Sequence, residues 1–188
     1  MKCYERRLPH WDVVGSPLFV TFRLHGSLPA NRIFPPSNLT RGQAFAAMDR
    51  ILDRANSGPL YLRQAKIARM VVQALHDGES RFRRYELHAF VVMPNHVHLL
   101  VTPKVTAQEW LGPLKGFTAH EAIRMLGLHN TPFWQDESYD QIVRDEEHLW
   151  RIVQYIGQNP RKPGLPRERW MRWIHPDWQR AGWDFQED

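Results

Sequence analysis

Two histidines, His96 and His98, stand two residues apart in the run VVMPNHVHLLV, residues 91–101, which is otherwise mostly Val, Leu and Met. Strand side chains alternate between faces with period two, so both imidazoles point to one side and Val97 into the other layer. Two neutral imidazoles on one face make half of a divalent metal site. A pair of this spacing standing alone is commonly a surface or hydrogen-bonded pair, so the reading depends on what else reaches that face. Tyr155 and Asn159 are four residues apart at the end of a helical pattern, and their side chains share a face if the helix extends to Asn159. Glu86 and His88 lie on the neighbouring strand, where register decides whether they become additional ligands or supporting groups. His25, at a strand end, is a further neighbour or an ordinary turn residue.

These side chains need a scaffold, and the patterning supplies one. LFVTFRL at residues 18–24 reads as a first strand. Residues 41–55 place Ala44, Phe45, Met48, Ile51 and Leu52 at helical spacing, with Ser37 or Thr40 available as a cap. A second helix, residues 60–76, is expected to stop at Asp77-Gly78. Residues 85–93 form a second strand, and Met93-Pro94-Asn95 turns it back into the antiparallel strand His96–Thr102. Thr106 caps a helix from Ala107. Gly112-Pro113 predicts a break there, and a fresh helix over residues 117–126 would offer backbone N–H groups near Lys115-Gly116 to a phosphate. Residues 139–144 read as a short extended segment. Asp145 caps a helix from Glu146 to Gln158 whose Leu149, Ile152, Val153 and Ile156 face the core, and Asn159-Pro160 ends it. The tail lacks either period, which predicts one domain over residues 1–165 and an irregular, basic, Trp-rich extension over residues 166–188.

Composition narrows the function classes. The chain has 188 residues and one cysteine, Cys3, so a disulfide framework and a cysteine-based zinc site are excluded. No apolar run approaches the length of a membrane span, and there is no secretory leader pattern, so a cytoplasmic location is expected. The net charge of +5 comes from 20 Arg and only 5 Lys against 20 acidic residues. Arginine suits forked contacts with phosphate, and eight Trp and nine Phe supply rings on which bases could stack.

The ordered set LFVTFRLHGSLP (residues 18–29), VVMPNHVHLLV (91–101) and FWQDESYDQIVRDEEHLWRIVQYIGQNPRKPGL (133–165) resembles the single-tyrosine transposases of the HUH class. The likeness is closest to the REP-associated tyrosine transposases and spans about residues 10–165. It implies a ferredoxin-like antiparallel sheet with helices packed on it. It further implies His96, His98 and Asn159 as ligands of Mg²⁺ or Mn²⁺, Tyr155 as nucleophile, and single-stranded DNA hairpins as partner of a monomer or homodimer. Pro163 stands where that family usually has Ala.

The implied chemistry is nicking and rejoining through a 5′-phosphotyrosine link. A free phenol titrates near about 10, so Tyr155 needs activation, and the sequence identifies no general base. Lys115, Arg124, Arg161, Lys162, Arg167 and Arg169 are candidate phosphate contacts. Trp134 and the tail tryptophans either stack on bases or cover the core, and Glu137 and Asp140 either orient the site or form a plain turn. Two other readings fit the same residues: a hairpin-binding protein without turnover, and a metallohydrolase that uses water.

Overall fold

The β-rich runs pair as their alternation requires. The computed structural model describes residues 2–5, 9–29, 40–54, 58–160, 165–167 and 170–186. Strands β1 (Lys2–Glu5) and β2 (Pro9–Asp12) pair antiparallel with each other. The main sheet is antiparallel and five-stranded, in the order β6-β3-β5-β4-β7. It is built from β3 (Leu18–Arg23), β4 (Tyr85–Val92), β5 (His96–Pro103), β6 (Tyr139–Ile142) and β7 (Met171–Ile174). Helices α1 (Arg41–Arg54) and α2 (Ala65–Ser80) connect β3 to β4, α3 (Ala107–Leu126) connects β5 to β6, and α4 (Glu146–Gln158) follows β6. Strand β5 lies between β3 and β4, the split βαβ order of a ferredoxin-like sheet, as expected.

Alternation sorts the interior into two layers. Val20, Phe22, Leu87, Phe90, Val97, Leu99 and Val101 face α2 and α3. Phe19, Ala89, Val91 and Leu100 face the other way, against Ile152, Val153 and Ile156 of α4. The odd–even assignment of β5 therefore holds: Val97 enters the first layer, and His96 and His98 lie on the second.

Three boundaries differ from the sequence expectation. Helix α3 is continuous through Gly112 and Pro113, so no helix starts at Lys115-Gly116 and no N–H groups are freed there. A proline inside a helix costs about 3 kcal/mol, but Pro113 is exposed while Trp110, Leu114, Thr118 and Ala122 bury one stripe four residues apart. Burial of that stripe, with a Thr106–Glu109 capping box, outweighs the missing bond. Helix α2 likewise runs through Asp77-Gly78 to Ser80. Gly78 is there to admit Tyr85: a Cβ would stand 2.0 Å from the phenol oxygen, which donates to the Leu75 carbonyl at 2.7 Å. Gly78→Ala should therefore cost about 1–3 kcal/mol through overpacking, read as a lower urea midpoint; an unchanged midpoint would refute this packing.

The tail is the third difference. Met171–Ile174 adds β7 to the edge of the sheet against β4, and Pro176–Arg180 forms a short helix, α5. Arg172 donates to the Gly157 carbonyl at the end of α4 (2.6 Å), and Gln154 of α4 donates to the Asp184 carbonyl (2.8 Å). The segment thus fastens the helix that carries Tyr155. Its tryptophans cover the sheet: Trp173 stacks on Phe90, and Trp178 stacks on His88 with centroids 4.5 Å apart.

Candidate functional site

Strand β5 is the middle of five strands, so His96 and His98 are fully buried. Their Nε2 atoms lie 3.0 Å apart. The turn residue before them has a second task. Asn95 donates its amide N–H to the Leu52 carbonyl of α1 (3.0 Å), which leaves its oxygen to accept from His96 Nδ1 (2.7 Å). The proton of a neutral His96 is thereby on Nδ1, and the Nε2 lone pair faces His98. Thr21, opposite His98 in the β3–β5 register, holds the Nδ1 of that ring at 2.7 Å.

Two helices close over this pair. Helix α1 brings Asp49, whose Oδ1 is 3.2 Å from His98 Nε2 and 3.7 Å from His96 Nε2. Asp53, one turn on, has its Oδ1 3.9 Å from His96 Nε2. Helix α4 is capped by Asp145, which accepts from the His148 N–H at 2.7 Å, and it presents Tyr155 and Asn159 on one face. The Tyr155 hydroxyl donates to Asp49 Oδ2. Its ring meets His98 edge-on, with centroids 5.3 Å apart, and also meets Phe19 edge-on. Asn159 Nδ2 lies 3.1 Å from His98 Nε2, and its Oδ1 is buried with no hydrogen-bond partner among the described residues.

The donor set fits a metal ion. Asp49, His96 and His98 each offer one ligand atom, all buried and all within 4.8 Å of one another. A separation of 3.0 Å between two imidazole nitrogens matches adjacent corners of an octahedron with bonds of about 2.1 Å. Two buried carboxylates face the same two buried imidazoles, an acceptor-rich, low-dielectric arrangement that a cation offsets. Half a turn of the Asn159 amide exchanges its two ends and brings the oxygen to the same point.

A family model described as "Transposase IS200 like" matches residues 63–159, more than half of the chain. The chain belongs to the IS200-like transposase family. A solved structure titled "Structure of the REP associates tyrosine transposase bound to a REP hairpin" is similar, with TM-score 0.54 and 20% identity. The likeness covers 89% of this chain and 77% of that one, and at this identity it establishes the fold alone. No curated protein matches.

The transposase fold brings Tyr155, His96, His98 and Asn159 together, and it adds Asp49, which the sequence reading missed. A signal for it was present. Asp49 and Asp53 fall on the same helical stripe as Phe45, Met48 and Leu52, and a carboxylate on a core stripe is buried for a reason. Arg23 also belongs to this face, opposite His96 in register. Burial lowers its guanidinium to about 10, so it stays charged at neutral pH.

The candidate DNA contacts fare differently. Lys115 and Arg124 sit on α3, across the sheet from the histidines. Lys115 donates to the Gln135 and Asp136 carbonyls (2.7 and 2.9 Å), and Arg124 pairs with Glu121 at 2.6 Å. Trp134 is not a stacking platform. It is buried against Phe22 and Phe133, and its indole N–H donates to Thr118. Arg167 is exposed, with its guanidinium 4.1 Å from the Trp170 ring centroid. Arg161, Lys162, Pro163 and Arg169 lie outside the described residues, as does Ser37; Thr40 caps α1 with Gln43. His25 is exposed at its turn.

Neither Glu86 nor His88 reaches the metal-binding point. A bulge between Leu87 and Ala89 sends His88 to Thr102, at 2.7 Å, and Glu86 pairs with Lys104. Burial lowers His88 from 6.5 to about 4, against the opposing pull of the Glu86 carboxylate and with a smaller push from His175. Because the unfolded chain takes up a proton that the folded one refuses, stability is complete above about pH 6.5 and falls as pH drops toward 4. The loss attributable to this group is about 3 kcal/mol. His88→Gln should flatten that part of a Tm-versus-pH curve; an unchanged slope would refute the assignment.

Proposed function

We propose that this transposase nicks and rejoins single-stranded DNA at hairpins, through a covalent link between Tyr155 and a 5′-phosphate. The observation that carries the reading is one carboxylate serving two groups. Asp49 accepts the Tyr155 hydroxyl with one oxygen and faces the histidine pair with the other. The titled REP hairpin bound by the similar structure supports a hairpin as substrate.

His96, His98, Asp49 and Asn159 would hold the divalent ion, and a mixed nitrogen–oxygen set suits Mn²⁺ at least as well as Mg²⁺. When bound, such an ion polarises a phosphodiester oxygen and offsets charge in the transition state. The residues do the rest. Asp49 orients the phenol and takes its proton as the Tyr155 oxygen attacks phosphorus. The P–O3′ bond breaks with its electron pair on O3′, which gains a proton from water to become the 3′-hydroxyl. Phe19 and His98 flank the ring and limit its swing, and Arg23, which donates to Ser27 Oγ at 3.3 Å, supplies a positive charge on this face toward an incoming phosphate. Because the bond energy is kept in the phosphotyrosine, a 3′-hydroxyl can reverse the step and join strands.

The test is a denaturing gel with 5′- and 3′-labelled hairpin oligonucleotides, with and without Mn²⁺. The expected result is a Mn²⁺-dependent, protease-sensitive adduct that retains the label 3′ of the break. Cleavage that yields free 5′-phosphate with no adduct would instead mean a water-using hydrolase.

A further inference from the structure

On the far side of the sheet from the histidines, a cavity of about 260 Å³ opens between the end of α2 and the middle of α3. Its lining combines buried apolar residues, among them Tyr85, Trp110 and Leu114, with Arg81 and Arg84. Among the described residues, the exposed large apolar side chains are Val14, Phe82 and Phe117, and the two phenylalanines both line this one cavity. They are 50% and 55% exposed, so about half of each ring stays open to solvent beside one cavity. The loop that carries Phe82 reads Arg81-Phe82-Arg83-Arg84. The Arg81 and Arg84 guanidinium carbons lie 5.3 and 4.9 Å from the centroid of its ring. Arg83, in the same loop, holds a left-handed backbone angle (φ 52°). The one carboxylate in the lining, Asp77, accepts from Gln73 at 2.8 Å.

We propose that this cavity is a second DNA-binding site, which takes one unpaired base between Phe82 and Phe117 and its flanking phosphates on Arg81 and Arg84. The proposal rests on the reading of this transposase as acting on hairpin DNA with single-stranded flanks. Size and charge select the occupant. The volume lies below the usual range of about 300–1,000 Å³ for small-molecule sites and suits a single planar ring system. An apolar peptide anchor would gain nothing from two arginines in the lining, whereas a nucleotide uses both the stacking faces and the positive charge. The site is separated from the catalytic face by the sheet itself, so it would act as an anchor that sets which stretch of strand reaches Tyr155.

The experiment uses the full chain with Tyr155→Phe in all samples, so that no probe is consumed. A labelled hairpin with a single-stranded flank and a blunt hairpin of the same stem are titrated at several salt concentrations. The expected result is that Phe82→Ala with Phe117→Ala weakens binding of the flanked hairpin about tenfold and leaves the blunt one unchanged. Arg84→Gln should lower the salt slope by about one. Both rings are half exposed, so unfolding is not expected, and a melting curve verifies it. Equal binding by the folded variants would overturn the proposal while leaving the tyrosine chemistry intact. An absence of DNA binding by the unaltered cavity would overturn both.

Discussion

Tyr155→Phe should abolish covalent capture of DNA and lower single-turnover cleavage by at least about 10³-fold, with the hairpin Kd changed less than about twofold. The substitution removes one oxygen. The ring keeps its edge contacts with His98 and Phe19, so the site stays packed. What disappears is the hydroxyl that donates to Asp49, the atom assigned as nucleophile. Rapid-quench cleavage together with filter binding checks both halves. Residual cutting at an undiminished rate would mean that Tyr155 is a structural residue and that water attacks.

The second large effect concerns the metal. With Mn²⁺ at one hundred times its Kd, binding should stabilise the protein by about 2.7 kcal/mol, or about 5–10 °C in Tm for a chain of this size. His98→Ala should erase that increment, because His98 Nε2 is the point on which His96, Asp49 and Asn159 converge at 3.0–3.2 Å. Asp49→Asn is the finer probe. The amide matches the carboxylate in shape and can still accept the Tyr155 hydroxyl, but it carries no charge. The expected loss in Mn²⁺ affinity is about 10- to 100-fold, read by calorimetric titration. An unaltered affinity would remove Asp49 from the ligand set.

The sheet-borne half of the site was legible because strand alternation is a local rule. VVMPNHVHLLV places two histidines on one face whatever the rest of the chain does. Helix α4 was legible for the same reason, since the Asp145 cap, the apolar stripe and Asn159-Pro160 bound it on both sides. Asp49 was not found, because its role depends on α1 crossing the histidine face, and only tertiary packing decides that. Asn95 looked like a turn residue, and its hold on His96 appears only once Leu52 of α1 takes its other end. Pro113 is the opposite case: the local rule against a mid-helix proline yields to burial of Trp110, Leu114, Thr118 and Ala122. The tail failed for a related reason. Four residues, Met171–Ile174, are too short to show a period, and the free edge of β4 recruits them into the sheet.

The most direct measurement is to digest the DNA–protein adduct with trypsin and nuclease and find the nucleotide by mass spectrometry. Cleavage after Arg151 and Arg161 releases the peptide IVQYIGQNPR, in which Tyr155 carries the only hydroxyl side chain. The account predicts a nucleotide mass on that peptide, dependent on Mn²⁺. A nucleotide on any other peptide, or DNA cleaved in good yield with no modified peptide, would contradict it.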